Sequence, residues 1–185
     1  MENELGNLKF PIGKYKAILD FNFSRTVEDI KKLESFSGDL RECVKGLDKT
    51  DFKKSYRDGG MTIAQIIHHF CDTHTYAFLR TKHTLLEENP SVKMYEVAEF
   101  LTTPDSNVLD IKDSLNVIEG IHAKWVSLLK TLSEEDFNKT YYHSFRDKNI
   151  ILHEHVGMYA WHTKHHIEHI KMAKKNIKQK VKRPK

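Results

Sequence analysis

Cysteine is scarce in this sequence: Cys43 and Cys71 are the only two in 185 residues. They stand far apart and form no CxxC pair. That excludes a disulfide-stapled scaffold and a dithiol redox motif, and fits two buried thiols in a reducing compartment. Long hydrophobic runs are missing too. No apolar stretch approaches the roughly 18 residues that a membrane span needs. The opening MENELGNLKF carries acidic residues and lacks the apolar centre of a secretory signal. The expected location is therefore the cytoplasm, with no membrane partner. Strong charge of one sign is also absent. The net charge is +4, and much of it lies in the final KMAKKNIKQKVKRPK, expected to be a solvated helix end. The remainder is near neutral, so no basic face is foreseen for nucleic acid.

Histidine is plentiful instead, with twelve scattered along the chain; they form no terminal run of the kind a purification tag leaves. The length fits one domain spanning 1–185, with an irregular N-terminal segment, 1–20, and the basic tail from about 174. Four stretches carry apolar residues at helical spacing. The first runs from Val27 through Ile30, Leu33, Phe36 and Leu40 to Leu47, weakened locally by Gly38. The breaker YRDGG follows, and Thr62 is placed to cap a second helix that Asn89-Pro90 ends. A connection of about 91–108 leads to a third helix, from about Ile111 to Leu132. The fourth runs from about Ile150 to Lys175. No convincing strand emerges, and the predicted fold is an all-α four-helix bundle.

One near-repeat stands out. LDKTDFKKSY (47–56) matches LSEEDFNKTY (132–141) at Leu, Asp, Phe, Lys and Tyr, offset by 85 residues. Each copy follows one predicted helix and precedes another that carries histidines. Two related helix pairs, with the second helix of each meeting at the bundle centre, account for this arrangement.

The fourth helix reads AWHTKHHIEHIKMA. His162 and His166 lie one turn apart on one face, so both imidazoles can hold a single ion without bending the helix. His155 and His169 lie near the same stripe, with His165 beside it. A third ligand must come from elsewhere, and the second helix offers His68, His69 and His74. Both His68 and His69 border its apolar stripe of Ile63, Ile66, Ile67 and Phe70, so periodicity does not choose between them. Two rival chemistries are weaker. A di-iron bundle needs two Glu-x-x-His motifs, but only Glu119-Gly120-Ile121-His122 is present; Tyr159 stands three residues before His162. A Cys71–His69 nucleophile pair is disfavoured because residues two apart point in different directions on a helix.

Several of these segments resemble the YfiT branch of the DinB-like superfamily of metal-binding four-helix bundles. They are PIGKY (11–15), YRDGG with the following HHFCDTH, IHAKWVSLLKTLSEEDF, the Tyr142-His143 pair and GMYAWHTKHHIEHI (157–170). The resemblance covers roughly residues 8–173 in the same order and spacing. It implies His69, immediately before Phe70-Cys71-Asp72, as the first metal ligand, with His162 and His166 as the other two. Lys164 and His153-Glu154-His155 depart from the family pattern, which puts substrate choice in doubt and leaves the three ligands intact.

Three neutral imidazoles leave room for water or substrate, and zinc or nickel suits nitrogen donors. Asp72, His68, His74, His165, Tyr56 and Arg57 are the candidates to orient the ligands or line the pocket. Trp125 and Trp161 read as core more than as substrate platform. The resemblance implies one divalent metal per chain and a homodimer. It also implies one of two activities: transfer of a low-molecular-weight thiol of the bacillithiol type to an electrophile, or metal-dependent hydrolysis. Thiol transfer is the preferred expectation, since no paired carboxylates lie near the histidines to serve hydrolysis. A non-enzymatic metal-binding stress protein would need a fourth ligand, such as His68 or His74, to close the site.

Overall fold

A computed structural model describes residues 8–92 and 96–181, with side chains described through 176. Four long helices dominate: α1 (Phe23–Val44), α3 (Ile63–Leu86), α5 (Lys112–Leu129) and α7 (Leu152–Val181). The last four residues of the basic tail lie outside the described residues. Caps explain where the helices begin. Asn22 accepts from the Arg25 amide to start α1, and α1 runs unbroken through Gly38. Thr62 and Gln65 form a reciprocal capping box that starts α3. No helix among the described residues is long and apolar enough to cross a membrane.

α1 packs on α5 and α7, and so does α3. α1 and α3 thus face each other across the bundle axis, where Phe36 meets Phe70 with ring centroids 4.6 Å apart. The cross-helix contacts fix the directions. Arg41 pairs with Glu119 and Glu34 with Lys130, so α1 and α5 are antiparallel. His68 meets Ser114 while Thr81 meets Trp125, so α3 and α5 are parallel. His69 meets His162 while Ala77 meets His155, so α3 and α7 are antiparallel. The order is therefore up, down, down, up, with each sequence-adjacent pair predicted from the near-repeat set on a diagonal.

The near-repeat forms the same local device twice. Asp48 and Asp51 make a capping box on the one-turn helix α2 (Lys49–Phe52), and Ser133 and Asp136 make one on α6 (Glu134–Phe137). Each turn buries its phenylalanine, Phe52 or Phe137. The carbonyls of Lys54 and Lys139 then each accept, at 2.9 Å, from the first amide of the next long helix, Ile63 or Leu152.

The expectation of no strands was wrong. β1 (Ser91–Val92) pairs in parallel with β2 (Thr140–His143), which pairs antiparallel with β3 (Lys148–Ile151). A four-residue loop closes the hairpin with Asp147 at φ 47°, a left-handed conformation that Asp tolerates better than most residues. Four-residue strands are too short to separate a two-residue period from a helical one. The connection at 91–108 is also structured, by β1, the short helix α4 (Val97–Phe100) and a 3₁₀ turn at Asp105–Asn107.

The core has three layers along the bundle. One apolar cluster holds Leu40, Val44, Ile63, Ile66, Leu115, Ile118 and Ile170. A second holds Ile30, Leu33, Ala77, Trp125, Leu129, Val156 and Ala160. Between them every long helix but α1 contributes imidazoles: His69 and His74 from α3, His122 from α5, and His162, His166 and His169 from α7. Burying so many polar rings between apolar layers is costly unless each is hydrogen-bonded. Their mutual bonding is what organises the site.

Candidate metal centre

His69, His162 and His166 come together between α3 and α7. Each offers a ring nitrogen, and these atoms all lie within 4.8 Å of one another. The Nε2 atoms of His69 and His162 are 3.1 Å apart. Two nitrogens each about 2.0–2.1 Å from a tetrahedral zinc would sit about 3.3 Å apart, so the spacing suits ligands to one ion. Phe70 packs edge-on against the His162 and His166 rings, with centroids 5.6 Å away from each, and Phe36 stands behind it. His69 and His166 are buried, while His162 keeps partial exposure.

The site favours neutral imidazoles. Burial, with some help from nearby His165, pushes His69 down to about 4. Burial first, and neighbouring histidines second, hold His162 and His166 well below the usual histidine range. Among the described residues, neighbouring histidines supply the charges that bear on all three. Neutral nitrogen donors fit a borderline-soft divalent ion.

Other sequence candidates fall into place around them. His74 bonds the Nδ1 of His162 through its Nε2 at 3.1 Å. Tyr56 stacks on His169 at 3.8 Å and 13°. Arg57 lies over the Tyr56 ring and donates to the Asp58 carbonyl, so it fixes the loop rather than reaching the three histidines. His165 stacks on Trp161 at 4.5 Å and lies 4.8 Å from the His166 ring; its Nδ1 is buried with no hydrogen-bond partner among the described residues. Trp161 also meets Tyr15, so it belongs to the wall beside the site and not to the deep core. Trp125 is fully buried and donates to Thr81.

Two expectations fail. His68 faces away from α7 and bonds Ser114 and the Val108 carbonyl. Asp72 is half-buried on that same side, its carboxyl raised first by burial and then by Asp105. The residue that reaches His69 is Thr73, whose Oγ1 lies 3.2 Å from its Nδ1. One turn of helix explains the switch: i and i+4 side chains lie side by side, whereas Asp72 is rotated toward α5. The rival chemistries lose their geometry as well. Glu119 is exposed and paired with Arg41, while His122 is buried and bonded to the Leu33 carbonyl at 2.7 Å. Burial pushes the Cys71 thiol up to about 11, opposite to what a nucleophile needs.

A second trio, His165, His166 and His169, is also close enough to hold an ion. It shares His166 with the first, and the Nδ1 atoms of His166 and His169 are engaged with each other at 3.2 Å.

Known proteins resemble this chain in sequence and fold. A family model described as the DinB superfamily matches residues 32–170. A Bacillus subtilis protein named "Putative metal-dependent hydrolase YfiT" is 34% identical over 164 residues, covering 89% of this chain and 92% of its own. A similarly named protein of Oceanobacillus iheyensis is 38% identical over 164 residues, covering 89% and 94%. The solved structure of Bacillus subtilis YfiT, described as "a probable metal-dependent hydrolase with an unusual four-helix bundle topology", superposes with a TM-score of 0.89 at 32% identity. The match covers 92% of this chain and 98% of that one. That superposition places this chain in the same architecture, and it belongs to the DinB superfamily.

Proposed function

We propose that this chain is a metal-dependent enzyme that transfers a low-molecular-weight thiol to an electrophile, with one zinc or nickel ion held by His69, His162 and His166. The observation that carries this reading is the convergence of three imidazoles, each held neutral by burial, whose ring nitrogens lie within 4.8 Å of one another. Such an ion supplies Lewis acidity, which favours the ionised form of a thiol or water placed beside it. Thiol transfer fits the setting because a thiolate, once formed, needs no further base. Its sulfur bonds to the electrophilic carbon as the leaving group takes the bonding pair. Amide or ester hydrolysis usually enlists a positioned acid to protonate the leaving group.

The chain's own residues supply the rest. Phe36 and Phe70 close the floor of the site and exclude water from beneath the ligands. Tyr15, Trp161 and His165 form an aromatic wall beside it, suited to the apolar body of an electrophile. The unpartnered Nδ1 of His165 can hydrogen-bond a polar group of the substrate. His68 and His74 are bonded elsewhere, which opposes the closed four-ligand site of a non-enzymatic metal protein.

Hydrolysis is the second reading, favoured by the names of the relatives. One assay separates the two. The zinc- or nickel-loaded protein is incubated with an electrophilic bimane and a panel of thiols, and separately with amide and ester substrates. Metal-dependent conjugation of one thiol is the expected result. Turnover of amides or esters alone would overturn the transferase reading in favour of the hydrolase, and no turnover with a tightly held ion would overturn both.

A further inference from the structure

Three histidines that do not face the centre, His74, His122 and His169, form two hydrogen-bonded chains that end on ones that do. In the longer chain, the Nδ1 of His122 lies 2.7 Å from the Leu33 carbonyl. The Nε2 of His122 lies 2.7 Å from the Nδ1 of His74, and the Nε2 of His74 lies 3.1 Å from the Nδ1 of His162. In the shorter chain, the Nε2 of His169 lies 3.2 Å from the Leu8 carbonyl, and its Nδ1 lies 3.2 Å from the Nδ1 of His166.

A carbonyl oxygen only accepts, and a neutral imidazole has one donor and one acceptor nitrogen. These two facts determine every proton in both chains. His122 must donate from Nδ1 to Leu33, so its Nε2 accepts. His74 must then donate from Nδ1, and its Nε2 accepts from the Nδ1–H of His162. His162 is left with a bare lone pair on Nε2, the atom that faces His69. By the same steps His169 donates from Nε2 to Leu8, accepts on Nδ1 from the Nδ1–H of His166, and leaves the Nε2 lone pair of His166 for the site. The usual arrangement has a metal-ligating histidine donate its other N–H directly to a carbonyl, carboxylate or water. Here other imidazoles stand between the ligands and the carbonyls.

We propose that His74, His122 and His169 are positioning residues: two imidazole relays carry the acceptor character of the Leu33 and Leu8 carbonyls to His162 and His166 and hold both in the one tautomer that presents Nε2 to a metal. This rests on the three-histidine reading above. It also assigns a purpose to the aromatic packing of the relays. Phe36 lies against both His74 and His122, and Tyr56 stacks flat on His169, which fixes the ring planes through which the bonds run.

The test has two parts. Nitrogen-15 NMR of the metal-free protein reads each tautomer directly. The expected pattern is Nδ1–H at His122, His74, His162 and His166, and Nε2–H at His169. Zinc affinity is then measured by chelator competition for wild type and for His122→Phe, an apolar ring of similar size. The substitution removes the acceptor from His74 while keeping the packing. The expected result is an affinity loss of about 10–100-fold together with a mixed tautomer signal at His162. Nε2–H or mixed tautomers at His162 or His166 in the wild type would overturn the relays without any variant. Unchanged zinc affinity in a folded His122→Phe protein would overturn the positioning role. The expected tautomers in a wild-type protein with no affinity for zinc would support the relays while sinking the reading of His69, His162 and His166 as metal ligands.

Discussion

Replacing His162 with alanine is expected to leave a folded protein that carries almost no metal. His162 is the hub of the site: its Nε2 is 3.1 Å from that of His69, and His166 sits one turn away on the same helix. Losing a ligand should cost more than the roughly 10–100-fold that follows from altering a residue that only supports one. Two imidazoles on separate helices then remain, and neither is prepaired with the other in sequence. His166→Ala should behave alike. The fold survives because both apolar clusters lie above and below the histidine layer. The variant does leave the Nε2 of His74 without its partner, at a cost of about 1–3 kcal/mol. Elemental analysis of the purified variants beside wild type reads the effect. Metal content equal to wild type in both would exclude these residues as ligands.

Acid is expected to unfold the metal-free protein well above the range in which carboxylates titrate. His122 is pushed down to about 4 and His155 to about 3, chiefly by burial, although each has one nitrogen on a backbone carbonyl. His69 is pushed to about 4 by the same cause. In the unfolded chain each takes up a proton near pH 6.5. The sign follows from linkage. Where the folded value is depressed, the unfolded state binds more protons in the window between the two values, so stability falls as pH falls. The contribution of these groups is complete above about pH 6.5 and is lost progressively down to about pH 4 for His69 and His122 and about pH 3 for His155. Thermal melts of chelator-treated protein should therefore hold one midpoint above neutrality and drop steeply below about pH 6. A midpoint unchanged down to about pH 4.5 would contradict the neutral histidine layer. Zinc should push the loss to lower pH, since binding stabilises the folded state.

The long helices were legible because their apolar residues repeat at 3.6 and their caps are local: Thr62 and Gln65 sit three residues apart. The His162–His166 pair was legible for the same reason. The third ligand was not. His68 and His69 are neighbours about 100° apart on α3, and both border its apolar stripe. Only the packing of α7 on one side and α5 on the other assigns His69 to the centre and His68 to Ser114. That is long-range information, and resemblance to a family had to supply it.

His122 shows the same limit. Its Glu-x-x-His spacing suggests a metal motif, yet the tertiary fold places it against the Leu33 carbonyl, 89 residues away. Thr73 carried no signal at all, being one of several threonines on α3. The small sheet was hidden because its strands are shorter than one hydrophobic period can resolve, even though Tyr141, which anchors it and donates its hydroxyl to His155 Nδ1, was visible in the near-repeat.

We infer that one ion is held by three imidazoles with room left for a substrate. X-ray absorption at the metal edge of the zinc- or nickel-loaded protein tests it most directly. The expected result is one ion per chain, three nitrogen neighbours with imidazole scattering at about 2.0–2.1 Å, and a remaining position that changes to sulfur when a small thiol is added. A shell built from carboxylate oxygens or protein sulfur, or four imidazoles indifferent to added thiol, would contradict it.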